Sequence, residues 1–215
     1  DDGCRHADRG IARKQTDTEG RKTHDHDGDQ EGVFAADKIA KPAELHGDGG
    51  NDTLRGSSGN DSLLGGARDD VLFGLGGNDV LDAGTGHDVL VGGKGNDQLS
   101  GGSDSSLLIG GVGQDVLSGS LAGDILIGGS TKYDTNETAL LSLLAEWKRT
   151  DLTYAERIDH LTGKTAGGLN GKSYLKSSTV TSDLFADALT GGDGQDWFWA
   201  LATEVADRQA DERLN

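Results

Sequence analysis

Gly92-Gly93-Lys94-Gly95-Asn96-Asp97-Gln98-Leu99-Ser100 is the clearest copy of a nine-residue phrase, G-G-x-G-x-D-x-L-x, said nine times without a gap from Gly47 onward. The sixth position falls on Asp52, Asp61, Asp70, Asp79, Asp88, Asp97, Ser106, Asp115 and Asp124. The eighth falls on Leu54, Leu63, Leu72, Leu81, Leu90, Leu99, Leu108, Leu117 and Leu126. Leucine in unbroken phase argues against an acidic, glycine-rich linker, which has no use for a periodic apolar residue. A period this short marks a solenoid, in which each unit buries its apolar residue only by stacking on its neighbours.

The phrase divides into a turn and a strand. Positions one to six place glycine where a chain must take positive φ or pass close to an ion. Positions seven to nine predict a very short strand whose central leucine points inward. Two phrases make one coil of eighteen residues, so Asp52, Asp70, Asp88 and Asp124 line one edge. Asp61, Asp79, Asp97 and Asp115 line the other. Carboxylates stacked about one strand spacing apart, about 4.8 Å, repel unless something positive lies between them. Residues 47–129 carry twelve aspartates against Arg55, Arg68 and Lys94, a net charge of −9. No cation recurs at a fixed place in the phrase, which leaves a metal ion. Carboxylate and carbonyl oxygens without cysteine or regular histidine select a hard ion, and flexible turns suit calcium better than magnesium.

On these residues the segment 47–129 resembles the haemolysin-type calcium-binding repeat of the repeats-in-toxin (RTX) family. The resemblance implies an all-β fold, a parallel β-roll with calcium between the turns of repeats i and i+2, and export from a bacterium. It implies as ligands the position-six aspartates, together with turn carbonyls such as those of Gly50, Gly59, Gly77, Gly86, Gly93, Gly95 and Gly113. The copies depart from the pattern at Arg68, at Asp104 and Ser106, and at Ala122-Gly123. Intact aspartate pairs remain at 52/70, 70/88, 61/79, 79/97 and 97/115, so about five good sites are expected.

Working outward, residues 1–45 read as a disordered polar leader in which Val33-Phe34-Ala35-Ala36 forms a first, capping strand. The cluster Asp25, Asp27, Asp29 opens like an EF-hand loop, but its twelfth position is Ala36 and not the bidentate glutamate required. Cys4 is the only cysteine, so no intrachain disulfide forms and stability must come from elsewhere, metal being the natural source. The chain opens on Asp1 and contains no methionine, so a piece of a longer product is expected.

Beyond the roll (46–129), residues 130–172 predict a small helical segment and 173–215 a short capping piece of roll with a tail. Leu140, Leu143, Leu144 and Trp147 form an apolar stripe on a helix from about Asn136 to Lys148. Thr153-Tyr154-Ala155-Glu156 is a capping box for a second helix with Ile158 and Leu161 inward, stopped at Gly163. Leu107, Ile109, Val112, Leu121 and Ile125 are expected to pack against the first helix. Trp147 and Tyr154 read as core residues. The phrase then returns: Val180, Leu189 and Phe198 take the leucine position, Asp187 and Asp196 the aspartate position, and Asp196 adds a sixth candidate site.

Neither H-E-x-x-H nor G-x-S-x-G occurs, and Ser173-Tyr174-Leu175-Lys176, an S-x-x-K match, stands without its companion motifs. The reading is therefore not an enzyme. A net charge of −17 argues against nucleic acid as partner, and no apolar run approaches the length of a membrane span. The expected function is calcium binding by a secreted module that folds on the ion and acts as scaffold, export handle or surface-association domain. A surface polymer or a second copy is its partner class. The alternative is the non-catalytic C-terminal part of a larger secreted enzyme or toxin.

Overall fold

The structure is a computed structural model that describes residues 12–15, 32–35 and 42–215. In chain order the strands begin β1 (Ala12–Gln15), β2 (Gly32–Ala35), β3 (Glu44–Gly49), β4 (Thr53–Arg55), β5 (Ser62–Ala67) and β6 (Val71–Gly76). They continue β7 (Val80–Thr85), β8 (Val89–Lys94), β9 (Gln98–Ser100), β10 (Leu107–Val112), β11 (Val116–Ser118), β12 (Ile125–Ile127) and β13 (Ser130–Thr131). Two helices follow, α1 (Glu137–Trp147) and α2 (Tyr154–Leu161). The chain finishes with β14 (Val180–Thr181), β15 (Ala188–Thr190), β16 (Trp197–Trp199) and β17 (Arg213–Leu214).

Successive strands alternate between two parallel sheets, ordered β1-β2-β4-β6-β8-β10-β12-β16-β17 and β15-β11-β9-β7-β5-β3. This is the expected parallel β-roll. Leu54, Leu72, Leu90, Leu108 and Leu126 are register partners down the first sheet, Leu45, Leu63, Leu81, Leu99 and Leu117 down the second. All ten are buried, and together they form the thin core between the sheets. Because a strand turns alternate residues to opposite faces, positions seven and nine point outward, and here the sheets differ. Outward residues of the first sheet (Val71, Phe73, Val89, Val91, Leu107, Ile109, Ile125 and Ile127) are buried; those of the second are mostly polar, with Val80 and Val116 exposed.

The cover on the first sheet is the helical segment. Leu140, Leu143, Leu144 and Trp147 of α1 join Ile158 and Leu161 of α2 in one apolar cluster with that outer face. Burial of each such side chain contributes about 1.5–3 kcal/mol. Asn136 caps α1 and Thr153 with Glu156 closes the capping box on α2, as expected. Arg55 pairs with Glu137 at 3.0 Å and Lys148 with Asp69 at 2.9 Å, tying both ends of α1 to the roll. Trp147 is fully buried, stacked on Trp197, and donates from Nε1 to the Gly123 carbonyl at 2.8 Å.

Three expectations change. Val112 and Leu121 do not pack beneath the helix; they are exposed, Val112 as the last residue of β10 and Leu121 in a turn, both beyond the outward positions of the sheet that α1 covers. Val180 does not join the leucine column: β14 pairs antiparallel with β13, since the strand register beside Leu108 is already taken by Leu126. Leu189 and Phe198 do continue the columns, as partners of Leu117 and Leu126. β2 is the strand expected at Val33–Ala36 and pairs with β4, but β1, paired with β2, and the start of β3 at Glu44 also fall inside the stretch read as a disordered leader. The Asp25, Asp27, Asp29 cluster and Cys4 lie outside the described residues. Among the described residues no helix is long and apolar enough to cross a membrane.

Candidate metal centre

Each turn must reverse the chain within six residues and still let the next coil stack directly on it. In the clearest copy Gly93 and Gly95 do this with φ of 113° and 117°, a left-handed region that costs a residue with a Cβ. A Cβ at either would also collide with the carbonyl beneath it, that of Leu75 or Gly77. Gly50, Gly77, Gly86 and Gly113 share the positive φ; Gly59 does not, and its N–H donates to Ser57 Oγ at 3.0 Å.

The position-six carboxylates all turn inward and form two ladders. On one edge the backbone N–H of Asp52 donates to Asp70 Oδ1 at 2.8 Å, and that of Asp70 to Asp88 Oδ1 at 2.7 Å. On the other the steps are Ala43 to Asp61, Asp61 to Asp79, Asp79 to Asp97 and Asp97 to Asp115, at 2.7–2.8 Å. The ladders run on past the helices, from Asp115 to Asp187 and from Asp124 to Asp196. Ser106 keeps its edge continuous, its Oγ accepting from Asp88 N–H at 3.2 Å while its own N–H donates to Asp124 Oδ1.

One oxygen of each carboxylate is thus engaged. The other, Oδ2, is buried and without a hydrogen-bond partner in Asp70, Asp79, Asp88, Asp97, Asp115 and Asp196. Leaving a charged acceptor buried and unpaired is costly. Burial accordingly pushes these carboxyls up: Asp97 to about 6, Asp79, Asp88 and Asp115 to about 7, Asp70 and Asp196 to about 8. Neighbouring aspartates push Asp70, Asp79 and Asp115 further in the same direction.

Position-one glycines, absent from the expected ligand set, line the same spot. A Cβ on Gly65 would meet Asp70 Oδ2 and the Ala83 carbonyl at 2.6 Å each, and one on Gly110 would meet Asp115 Oδ2 and the Gly128 carbonyl. Carboxylate and carbonyl oxygens therefore converge beside a bare Cα in turn after turn. No group of three His, Cys, Asp or Glu side chains converges among the described residues, so backbone carbonyls must complete any site. This all-oxygen, buried, negatively charged donor set fits a calcium ion.

Two expected ligands differ from the rest. Asp61 Oδ2 accepts from Ser57 N–H at 2.5 Å, and Asp124 Oδ2 accepts from Ser120 N–H at 2.6 Å and Oγ at 2.9 Å. Both serines stand at position two, where five of the nine copies have glycine, and that substitution was the signal available in the sequence. Position five, read as free, carries a further ladder: Asn78 N–H donates to Asn60 Oδ1, Asn96 N–H to Asn78 Oδ1 and Gln114 N–H to Asn96 Oδ1, at 2.8–2.9 Å. Its bonds run opposite to those of the aspartates, so each turn on that edge is tied to both neighbours.

A family model described as the RTX calcium-binding nonapeptide repeat (4 copies) matches residues 46–81, 64–99, 73–108, 100–130 and 180–202, together half of the chain. The last of these segments lies beyond the helices and contains Asp187 and Asp196. A search of curated proteins finds no match.

Proposed function

Because the chain belongs to the RTX calcium-binding nonapeptide repeat family, we propose that it is a secreted bacterial scaffold module whose roll orders when calcium enters the turns. The repeat region itself is a non-catalytic calcium-binding module. In this reading Asp70, Asp79, Asp88, Asp97, Asp115 and Asp196 supply Oδ2, with carbonyls of the glycine turns completing the shell. Bound calcium supplies the positive charge that the buried row lacks.

The observation that carries the reading is the row of buried, unpartnered carboxylate oxygens beside the position-one glycines. A chain with 36 glycines pays heavily in conformational entropy to order, and the ladder adds charge repulsion. Metal binding then becomes folding free energy. Secretion is supported by the family's usual occurrence in exported bacterial proteins. Sites of extracellular type, with Kd of about 10⁻⁴–10⁻³ M, suit a module that orders outside the cell. Far-ultraviolet circular dichroism tests the reading: little β signal in excess chelator near neutral pH, and a cooperative gain as calcium is added. A full β spectrum persisting in chelator would overturn it.

A further inference from the structure

The roll does not stop where the nonapeptide stops. After Trp199 the chain makes two shorter turns in which glutamate stands where aspartate stood. Leu201 N–H donates to Glu204 Oε2, and Gln209 N–H to Glu212 Oε2, both at 2.6 Å. Behind each glutamate the chain re-enters the stack, Val205 bridging to Leu189 and Leu214 pairing with Phe198. Glu212 therefore takes the next rung after Asp196, and Glu204, one residue closer to its column partner, a rung shifted by one beyond Asp187.

These two rungs are not equivalent. Glu212 is 6 % exposed and Asp196 0 %, and each buries one carboxylate oxygen, Oε1 and Oδ2, that has no partner. The strand register sets Glu212 directly beyond Asp196, since Arg213 pairs with Trp197, and when ionised both carboxylates can only accept. On the opposite edge neither Asp187 nor Glu204 buries an unpartnered oxygen. The closing turn is also held in place. Tyr154 Oη donates to the Asp196 carbonyl at 2.7 Å and accepts from Arg213 N–H at 2.8 Å, and Gln195 Nε2 donates to Asp211 Oδ2 at 2.8 Å.

We propose that Asp196 Oδ2 and Glu212 Oε1 are ligands of a calcium site in the closing turn, built outside the nonapeptide pattern. The proposal rests on the reading of the roll as calcium-binding and extends it to a residue that the repeat does not contain. The site's role follows from its place. The ion draws the last turn, and with it β17, onto the end of the stack, covering Phe198 and the sheet edge that solenoids must cap.

Terbium, a luminescent stand-in for calcium, reports this end selectively. The three tryptophans of the chain are Trp147, Trp197 and Trp199, and all three lie in one cluster next to Asp196. The full chain is compared with Glu212→Gln, Glu212→Asp and Glu204→Gln. In Glu212→Gln, tryptophan-sensitised terbium emission falls several-fold and calcium stoichiometry by calorimetry drops by one. Glu204→Gln keeps both, and Glu212→Asp, which retains the charge on a shorter arm, binds with intermediate affinity. Circular dichroism in saturating calcium checks that each variant folds. A folded Glu212→Gln with unchanged emission and stoichiometry overturns the proposal and leaves a pair sharing a proton. If Glu212→Gln fails to fold, Glu212→Asp decides, and wild-type affinity in it overturns the proposal equally. A wild-type chain that takes up no calcium at all would instead bring down the ladder reading on which this site rests.

Discussion

The backbone N–H of Asp124 donates to Oδ1 of Asp196 at 2.6 Å, although seventy-two positions separate the two residues. Neighbouring rungs elsewhere are eighteen apart, so the helical segment adds fifty-four residues, a whole number of coils, and Asp115 and Asp187 repeat the same spacing. Gly128 opens a turn that Asp187 completes: a Cβ there would collide with Asp187 Oδ2. The helices are thus inserted within a single turn of a continuous roll.

Deleting residues 130–183 joins Gly129 to Leu184 and returns Asp187 to the sixth position of an uninterrupted phrase. The expected product still gains β signal with calcium, since the rungs stay in register. It also exposes the outer face of Val71, Val89, Leu107 and Ile125, a patch that soluble monomers seldom show. Size-exclusion chromatography should find it self-associated, and a monomeric deletion product would count against the helices as a cover.

Gly110→Ala and Gly76→Ala separate two uses of glycine. At Gly110 the new Cβ meets Asp115 Oδ2 at 2.5 Å and the Gly128 carbonyl at 2.6 Å; at Gly76 its nearest neighbours are 3.8 Å away. Gly110→Ala should cost about 1–3 kcal/mol in calcium and weaken binding. Gly76→Ala should be neutral or gain about 0.4–1 kcal/mol by restricting the unfolded chain. Denaturant unfolding in saturating calcium reads both, and equal effects would mean the space beside Gly110 is not part of a site.

Ser106→Asp restores the carboxylate missing from its edge. Ser106 is fully buried and already carries the ladder bond from Asp88. The variant should therefore bind calcium more tightly, or take one more ion, and be less stable than the parent in chelator because it buries another charge. Calorimetry together with amide exchange over residues 104–127 checks this. Unchanged stoichiometry, affinity and exchange would refute the pairing of rungs on that edge.

Acid should substitute in part for calcium. Asp70, Asp79, Asp88, Asp115, Asp124 and Asp196 hold their protons to about 7 or 8 in the roll, burial being the largest cause, against an ordinary value of 3.8. A raised value means the folded roll binds protons more tightly than the unfolded chain. That stabilisation is complete below about pH 4 and is lost as pH rises through about 7 to 8. In chelator, β signal should be greater at about pH 5 than at about pH 8, and the calcium midpoint should fall as pH rises. A calcium midpoint independent of pH would contradict it.

Much of the fold and the metal centre could be read directly from the phrase. Leucine at every eighth position specifies the core, and aspartate at the sixth specifies the two ladders, because a nine-residue repeat must return each side chain to the same place. The stripe of Leu140, Leu143, Leu144 and Trp147 and the Thr153 capping box likewise specify their helices locally. Less legible were Ser57 and Ser120, whose hydroxyls and amides satisfy Asp61 and Asp124, and the asparagine ladder of Asn60, Asn78 and Asn96. These depend on what stacks eighteen residues away, which a single copy of the phrase does not display.

The sequence alone determined the roll, its register and the two rows of aspartates, since all of these follow from one short period. Only the tertiary structure decided how much of the first sheet's outer face is covered beyond Leu107, Ile109 and Ile125, and that the helices interrupt a single turn. Both sheets have the same leucines and aspartates, and their difference lies at positions seven and nine: Val71 and Phe73 in one coil half, Gln98 and Ser100 in the other. Those outward residues acquire meaning when α1 folds back onto one face, ties Lys148 to Asp69, and leaves Asp187 to complete the turn that Gly128 began. Contacts of that range follow from packing and from whole-coil spacing, which no local pattern encodes.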